Sequence, residues 1–417
     1  MANVSLLGST SRISTPYIKV TIGSYTFGVY QREKATVRND SGFYQAAKII
    51  YPNYIKSLNI SKINGQVNTY TLNIVYPIDE KSDPNFFEKV FSSVSQSRKI
   101  VFSYGDMALP TYIYKDEEAI ITKVKSNFDI KSSMINYTVT AISSATLLLS
   151  GTYTFNNSRS KKPSDEIKKL LNGNYGLQEI FYGMLNKGLV EAKGLIPGDD
   201  KVVQIESKTN ISALEYLNYL VSCMIPAAYS VSTNNKNKIF YALKIIDDTS
   251  GEFGGPYFKI ERITKNVERT DAYEIDIGYQ TANIVTSFSI DDDETYSIYY
   301  DWQNKLNDQS YVYRLDDDGK WTPEYAPIIS SRNNEYNTRV SDSTWWTKLT
   351  EYPINATITL KGLLRPAILM SYVRLRVYFF GVEHISSGLY IVTKQTDNIS
   401  ERGYYTTLNL TRISGAD

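Results

Sequence analysis

Ile354-Asn355-Ala356-Thr357-Ile358-Thr359-Leu360-Lys361 opens the stretch whose reading decides the fold. Apolar and polar residues alternate along it. Gly362 and Pro366 then interrupt the pattern. Val373, Leu375, Val377 and Phe379 alternate next with Arg374, Arg376, Tyr378 and Phe380. Ser386-Ser387-Gly388-Leu389-Tyr390-Ile391-Val392 follows, then a short link through Asp397-Asn398-Ile399, then Gly403-Tyr404-Tyr405-Thr406-Thr407-Leu408-Asn409-Leu410. A period of two turns one apolar face inward and one polar face outward, so residues 354–413 read as paired strands. Leu408 and Leu410 are expected to face the core.

The same pattern appears near the start of the chain. Ile18, Val20 and Ile22 alternate before Gly23, and Tyr25, Phe27 and Val29 follow. Residues 54–60 run into Asn64-Gly65, a two-residue hairpin signal because both turn positions favour positive φ. The expected return strand is 67–76. Phe87, Val90, Phe91 and Val94 make one helical stripe, with Ser82 or Asp83 as cap and Pro84 in the first turn. Further strands are expected at 100–104, 119–124 and 135–142. Residues 16–153 thus read as a first β domain.

A polar, basic segment, 154–162, reads as a linker. Pro163-Ser164-Asp165-Glu166 opens a helix with acids in its first turn. Leu177, Ile180, Phe181, Met184 and Leu185 form a second helical stripe. The capping box Ser212-Ala213-Leu214-Glu215 starts a third helix, whose buried face is Leu214, Leu217, Leu220, Val221 and Met224. Residues 229–231 and 239–246 read as a hairpin across Asn234-Asn235-Lys236-Asn237. Strand signals resume at 257–260, 273–279, 283–290 and 296–300. Residues 301–345 are polar and turn-rich, with Leu315-Asp316-Asp317-Asp318-Gly319-Lys320-Trp321 as a hairpin-like tip, and read as a surface insertion.

The chain has 417 residues, enough for two to four domains. Its 45 basic and 44 acidic residues balance, which argues against a protein that grips nucleic acid by bulk charge. The 35 tyrosines suit half-buried strands and subunit interfaces. The first residues carry no basic, apolar leader pattern, and no run approaches the roughly 20 apolar residues of a membrane span. The expectation is a chain folded in a cytoplasm, without a membrane anchor.

No catalytic, cofactor-binding or metal-binding set stands out. Cys223 is the one cysteine, so there is no intrachain disulfide and no cysteine-rich metal cluster, and His384 is the one histidine. The two could form a thiol–imidazole pair, but Cys223 lies in an apolar helix stripe and His384 beside a hairpin turn. The acidic runs Asp291-Asp292-Asp293-Glu294 and Asp316-Asp317-Asp318 read as solvated turns. The second lacks the spacing and distal glutamate of a calcium loop.

The closing pattern Gly388-Leu389-Tyr390-Ile391-Val392, then Ile399, then Gly403-Tyr404-Tyr405-Thr406-Thr407-Leu408-Asn409-Leu410-Thr411-Arg412 resembles the end of tail-tube-like domains in bacteriophage baseplate hub proteins. There the final hairpin reads roughly Gly-x-Tyr-x-Val, a spacer, then Gly-x-Tyr-x-Thr-x-Leu-x-Leu. The order of a β domain, a helical mixed domain and an interrupted β domain is similar to the hub architecture. The resemblance implies a β-dominated α+β fold: a first tail-tube-like β-barrel over 1–153, a small mixed domain over 154–250, and a second barrel over 251–300 and 346–417 carrying the insertion 301–345. It implies a non-enzymatic virion protein, assembled in the host cytoplasm as a homotrimer with a pseudo-sixfold ring. The implied partners are the tail tube protein and the central spike or other baseplate proteins, with DNA passing through the lumen without sequence-specific binding. Two alternatives stay open. One is a trimeric adhesin using Trp302, Trp321, Trp345 and Trp346 on sugar rings. The other is a peptidoglycan hydrolase using Cys223 and His384.

Overall fold

Alternation becomes pairing along most of the chain. The computed structural model describes residues 16–28, 50–52, 54–78, 83, 85–92, 98–106, 114–129, 131–143, 145–146, 151–157, 160–171, 196–224, 239–247, 257–264, 272–278, 285–292, 311–315, 321–325, 354–361, 369–384, 386–400 and 402–415. The first β unit comprises β1 (Pro16–Ile22), β2 (Tyr25–Gly28), β3 (Ile50–Pro52), β4 (Ile55–Ile63), β5 (Thr69–Pro77), helix α1 (Phe86–Ser92), β6 (Lys99–Asp106), β7 (Tyr114–Asp129) and β8 (Met134–Ser143). The middle holds β9 (Tyr153–Phe155), β10 (Ser160–Lys161), α2 (Pro163–Leu171), β11 (Val203–Gln204), β12 (Lys208–Ile211), α3 (Ala213–Ser222), β13 (Ile239–Ile246) and β14 (Tyr257–Thr264). The second β unit comprises β15 (Tyr273–Ile277), β16 (Val285–Asp292), the hairpin β17 (Tyr311–Leu315) and β18 (Trp321–Tyr325), β19 (Ile354–Lys361), β20 (Tyr372–Phe379), β21 (Val382–Glu383), β22 (Gly388–Ser400) and β23 (Gly403–Gly415).

Fifteen strands from both ends of the chain form one sheet, in the order β16-β19-β23-β22-β4-β5-β8-β7-β6-β1-β2-β3, with β20 also on β22 and β15 and β21 on β20. The fold is β-dominated α+β, as expected. Among the described residues no ladder joins β16 to β3, and the two β units share one continuous sheet. The weld is β22. Its first half pairs with β20, from Leu375↔Gly388 to Tyr372↔Ile391. Its second half pairs with β4, from Lys394↔Ile63 to Ser400↔Ser57. The change of partner falls where the β22–β23 register shifts between Val392 and Lys394. A bulge bends a strand and raises its twist, which lets one strand serve two neighbours.

Two expectations change here. Asp397-Asn398-Ile399 is not a link but the body of β22. The Asp397 carboxylate is satisfied inside the sheet by Gln395 Nε2 at 2.8 Å, Thr406 Oγ1 at 2.6 Å and Tyr404 OH at 3.1 Å, so a residue that usually disfavours strands is held in one. The Asn64-Gly65 turn is also wider than two residues. Gly65 has φ +67 and Gln66 N–H bonds the Ile63 carbonyl, yet β5 begins only at Thr69. The loop is spread by the middle unit: Gly65 N–H donates to the Leu243 carbonyl, and Asn218 Nδ2 donates to the Gly65 carbonyl at 2.8 Å.

The larger core runs through both β units. Leu58, Ile60, Leu72, Val139, Ile358, Leu375, Val392, Leu408 and Leu410 all belong to it. Leu408 and Leu410 are buried, as their parity requires. Helix α1 closes one side with aromatic side chains. Phe87 lies 4.7 Å from Tyr137, 5.2 Å from Tyr76 and 5.7 Å from Phe27 between ring centroids. A smaller core gathers Leu214, Leu217, Leu220 and Val221 of α3 with Ile167, Leu170, Leu243 and Phe258. The capping box is present, with Ser212 N–H on Glu215 Oε2 at 2.8 Å and Glu215 N–H on Ser212 Oγ at 3.2 Å.

The segment read as a linker is partly built into this smaller core. Phe155 is buried and stacks on Tyr216 at 3.8 Å. Strand β14, expected to open the second barrel, pairs with β13 along its whole length. Its Phe258 and Ile260 enter the smaller core while Ile263 reaches the larger one. The helix stripe at 177–185, the proposed partner strand at 229–231 and the strand signal at 296–300 lie outside the described residues.

One close approach is decisive for β15. It runs parallel to β20, ending at Ile277↔Val377. Gly278 follows at φ +82, and a β-carbon there would lie 2.0 Å from the Tyr378 carbonyl oxygen. Gly278→Ala is expected to cost more than about 1 kcal/mol, because both the backbone conformation and the space exclude a side chain. An alanine variant with the wild-type melting temperature would show that β15 does not dock as described.

Candidate functional site

Among the described residues, the chemistry-bearing side chains singled out in the sequence do not come together. Cys223 sits in the smaller core, and burial pushes its thiol up to about 11, away from nucleophilic character. The half-buried His384 imidazole instead contacts Ser386 Oγ through Nδ1 at 2.8 Å and the Phe379 ring at 4.9 Å. Asp291 and Asp292 end β16 opposite Asn355 and Ile354. Asp293, Glu294 and Asp316-Asp317-Asp318 lie outside the described residues, as do Trp302, Trp345 and Trp346. Trp321 pairs with Leu315 at the loop end of the β17–β18 hairpin. Among the described residues no group of three or more His, Cys, Asp or Glu side chains is placed to hold a metal ion. No helix among them is long and apolar enough to cross a membrane.

What the structure does assemble is a buried polar junction where the two β units and the middle unit meet. Strand β4 places Lys62 inward, at the same parity as Leu58 and Ile60. Strand β7 places Glu117 inward, at the same parity as Ala119 and Ile121. Lys62 Nζ and Glu117 Oε1 form a buried ion pair at 2.5 Å. The other Glu117 oxygen accepts from Tyr70 OH and Tyr104 OH, each at 3.0 Å. Tyr70 OH also lies 2.9 Å from Asp247 Oδ2, just past the end of β13. Asp247 takes Asn68 Nδ2 at 2.8 Å on the same oxygen and Ser143 Oγ at 2.5 Å on the other. The Asp247 carbonyl accepts from Glu118 N–H at 3.1 Å. Lys62 also pairs with Gln395 across the β4–β22 weld, beside the Asp397 cluster.

Burial raises the Asp247 carboxyl to about 6, with the Glu117 charge adding to it and hydrogen bonds from Ser143, Asn68 and Tyr70 opposing. Asp397 is raised for the same first reason. Lys244, next along β13, is lowered to about 8 by burial, partly offset by Glu261. One Tyr70 hydroxyl hydrogen cannot serve two carboxylates, so a proton held on Asp247 completes the network. The folded chain therefore keeps a proton on Asp247 between about pH 4 and pH 6 that the unfolded chain has released. Stability from this group is present at the acid end of that window and is lost as pH rises through about 6. In Asp247→Asn this slope is expected to disappear, with urea midpoints near pH 5 and near pH 7 drawn closer together. An unchanged pH dependence would remove Asp247 from this role.

Two surface features complete the inventory. Beyond Ile121 the β7 strand runs on to Asp129 with β8 as its neighbour, making a hairpin whose residues 122–129 and 131–134 are exposed. Val124, Phe128 and Met134 are exposed on it. At the β20–β21 turn, Phe379↔Val382 enclose a two-residue loop in which Phe380 has φ +52 and Gly381 φ +81. Both φ values have the sign of a type I′ turn, whose first position usually takes Asn, Asp or Gly. A phenylalanine there costs about 1–2 kcal/mol of backbone strain.

No protein-family profile matches the chain, and no curated protein does. Solved structures do. The chain is similar to the tail protein from Neisseria meningitidis MC58, at 10% identity over 95% of this chain and 97% of that one, with a TM-score of 0.49. It is similar to the 43 kDa tail protein of prophage MuSo2 from Shewanella oneidensis, at 9% identity over 95% and 97%, with a TM-score of 0.49. It is also similar to the E. coli c3393 protein, at 9% identity over 86% and 74%, with a TM-score of 0.40. That protein is described as a component of the type VI secretion system with structural similarity to the T4 bacteriophage tail proteins gp27 and gp5.

Proposed function

We propose that this chain is a structural hub protein of a phage tail baseplate, or of a related injection machine, built as a homotrimeric ring. The observation that carries the reading is the β22–β4 weld. It fuses two β units into one sheet whose end strands, β16 and β3, have a single neighbour each among the described residues. An exposed sheet edge tends to pair with another chain, and a closed ring satisfies all such edges at once. Three copies bring six β units, which matches a sixfold tube on one side and a threefold spike on the other.

In this reading the chain divides into a first tail-tube-like barrel over 1–153, a mixed unit over 154–250, and a second barrel over 251–300 and 346–417, with 301–345 inserted. The β13–β14 hairpin straddles the division at 250. The partners are the tail tube protein and the central spike or another baseplate protein, and the chain works in the virion without catalysis. The near-balance of 45 basic and 44 acidic residues suits a channel that DNA passes through rather than a surface that grips phosphate. Light scattering at micromolar concentration is expected to give a mass three times that of the chain. Electron micrographs of the particle are expected to place it at the tube–spike junction. A monomer, or a position on a peripheral fibre, would overturn the proposal.

A further inference from the structure

We infer that the buried junction is a proton-operated catch. One proton shared between Asp247 and Glu117 holds the middle unit on the first β unit, and its loss frees that end of the middle unit while the sheet stays paired. The hydrogen count carries the inference. Tyr70 OH lies 3.0 Å from Glu117 Oε2 and 2.9 Å from Asp247 Oδ2. A tyrosine hydroxyl has one hydrogen, so with both acids ionised one of these contacts sets oxygen against oxygen with no hydrogen between them. A proton on the pair repairs it: the carboxyl donates to Tyr70, and Tyr70 donates to the other carboxylate. Glu117 has the Lys62 ammonium at 2.5 Å, so the proton resides on Asp247.

That proton lies where the middle unit is fastened. Besides Tyr70 of β5, Asp247 meets Asn68 Nδ2 at 2.8 Å, Ser143 Oγ of β8 at 2.5 Å and, through its carbonyl, Glu118 N–H of β7 at 3.1 Å. All four partners belong to the first β unit. Apolar contact adds little on this side. Leu243 and Ile245 of β13 turn into the smaller core, which leaves the alternate positions, Ala242 and the buried Lys244, toward the β units. The far end of the β13–β14 hairpin is fastened without a carboxylate: Ile263 sits in the larger core and Thr264 N–H donates to Tyr372 OH at 2.8 Å. The Asp247 end therefore opens about the Thr264 end.

The other charges around Asp247 do not follow the same proton. Lys62 of β4 stays with Glu117, to which Tyr104 of β6 also donates. The Glu118 side chain turns to Lys99 at 2.5 Å. Asp397 of β22 is held within the sheet by Gln395, Tyr404 and Thr406. Lys244 lies 3.9 Å from Glu261 of β14, which also meets Lys259 at 2.9 Å. At about 8, Lys244 is charged throughout the range from pH 5 to pH 7 and adds no slope there. Asp247 is raised to about 6, so docking is strongest at acid pH and weakens as pH rises through that value.

Native-state hydrogen exchange of the full chain in mild urea tests the catch. The Gly65 and Glu118 amides report it, because both donate across it, to the Leu243 and Asp247 carbonyls. At pH 7 they are expected to exchange faster than the β19–β23 ladder, through an opening almost independent of urea. Between pH 5 and pH 7 their protection is expected to fall about tenfold after correction for the intrinsic rate. In Asp247→Asn, neutral at every pH, that fall should vanish. Ser143→Ala removes a donor that favours the charged carboxylate, so the midpoint should move to higher pH. Exchange of the two amides together with the ladder, at the same urea dependence, would mean that the middle unit leaves only when the whole chain unfolds, and would overturn the inference. A fall that persists in Asp247→Asn, or a midpoint unmoved in Ser143→Ala, would overturn it too. The catch does not rest on the hub reading.

Discussion

Glu117→Ala is expected to destabilise the chain by about 3–5 kcal/mol, measured by urea unfolding near neutral pH. Glu117 is 4% exposed and faces Lys62, itself 5% exposed, across 2.5 Å. Removing the carboxylate takes its ion-pair partner at 2.5 Å from the buried Lys62 ammonium at the weld between the β units. It also takes one acceptor from Tyr70 and from Tyr104. The cost comes from the charge left behind rather than from the worth of the pair, since buried ion pairs spend most of their attraction on desolvation. The double variant Lys62→Met/Glu117→Leu is therefore expected to recover most of the loss. A single variant within about 1 kcal/mol of wild type would mean that the junction is wetter than its geometry indicates.

Leu408→Asp is expected to abolish soluble, assembled protein. Leu408 is fully buried between Ile358 of β19 and Gln395 of β22. Truncating such a leucine costs about 2–5 kcal/mol, and a carboxylate in its place adds its own desolvation. Asn409→Asp, on the outward parity of the same strand, is the matched control and should fold. Soluble, assembled Leu408→Asp protein with normal melting would mean that the β23 register is displaced by one residue.

Alternation made the strands legible because most of them bury one face. Strand β19 follows its pattern from Ile354 to Leu360, and β5 does so from Tyr70 to Tyr76. Local chemistry also revealed the Ser212 capping box, since its partner is three residues away. The weld was not legible. It joins residues 57–63 to 394–400, and no local property of either strand names the other. The junction was missed for a related reason, because Lys62, Glu117 and Asp247 are far apart in sequence. One signal was available. Lys62 continues the inward parity of Leu58 and Ile60, Glu117 that of Ala119 and Ile121, and Asp397 that of Ile399. A charged residue on the apolar parity of a strand announces a buried partner, or the pattern would break. The strand expected at 119–124 is longer at both ends, since β7 runs from Tyr114 to Asp129.

The β22–β4 weld also sets the order of events during synthesis. Strand β4 leaves the ribosome well before β22, the neighbour that covers its outer side. Until then the first β unit presents β4 with its hydrogen-bonding edge open and its share of the larger core uncovered. Pairing across so long a span is slow, because the closure entropy of the intervening chain precedes any reward. The nascent chain thus passes through a state in which another molecule's β22 fits as well as its own. High expression favours exchanged, interlocked copies, and slower synthesis or a holding chaperone favours the native chain.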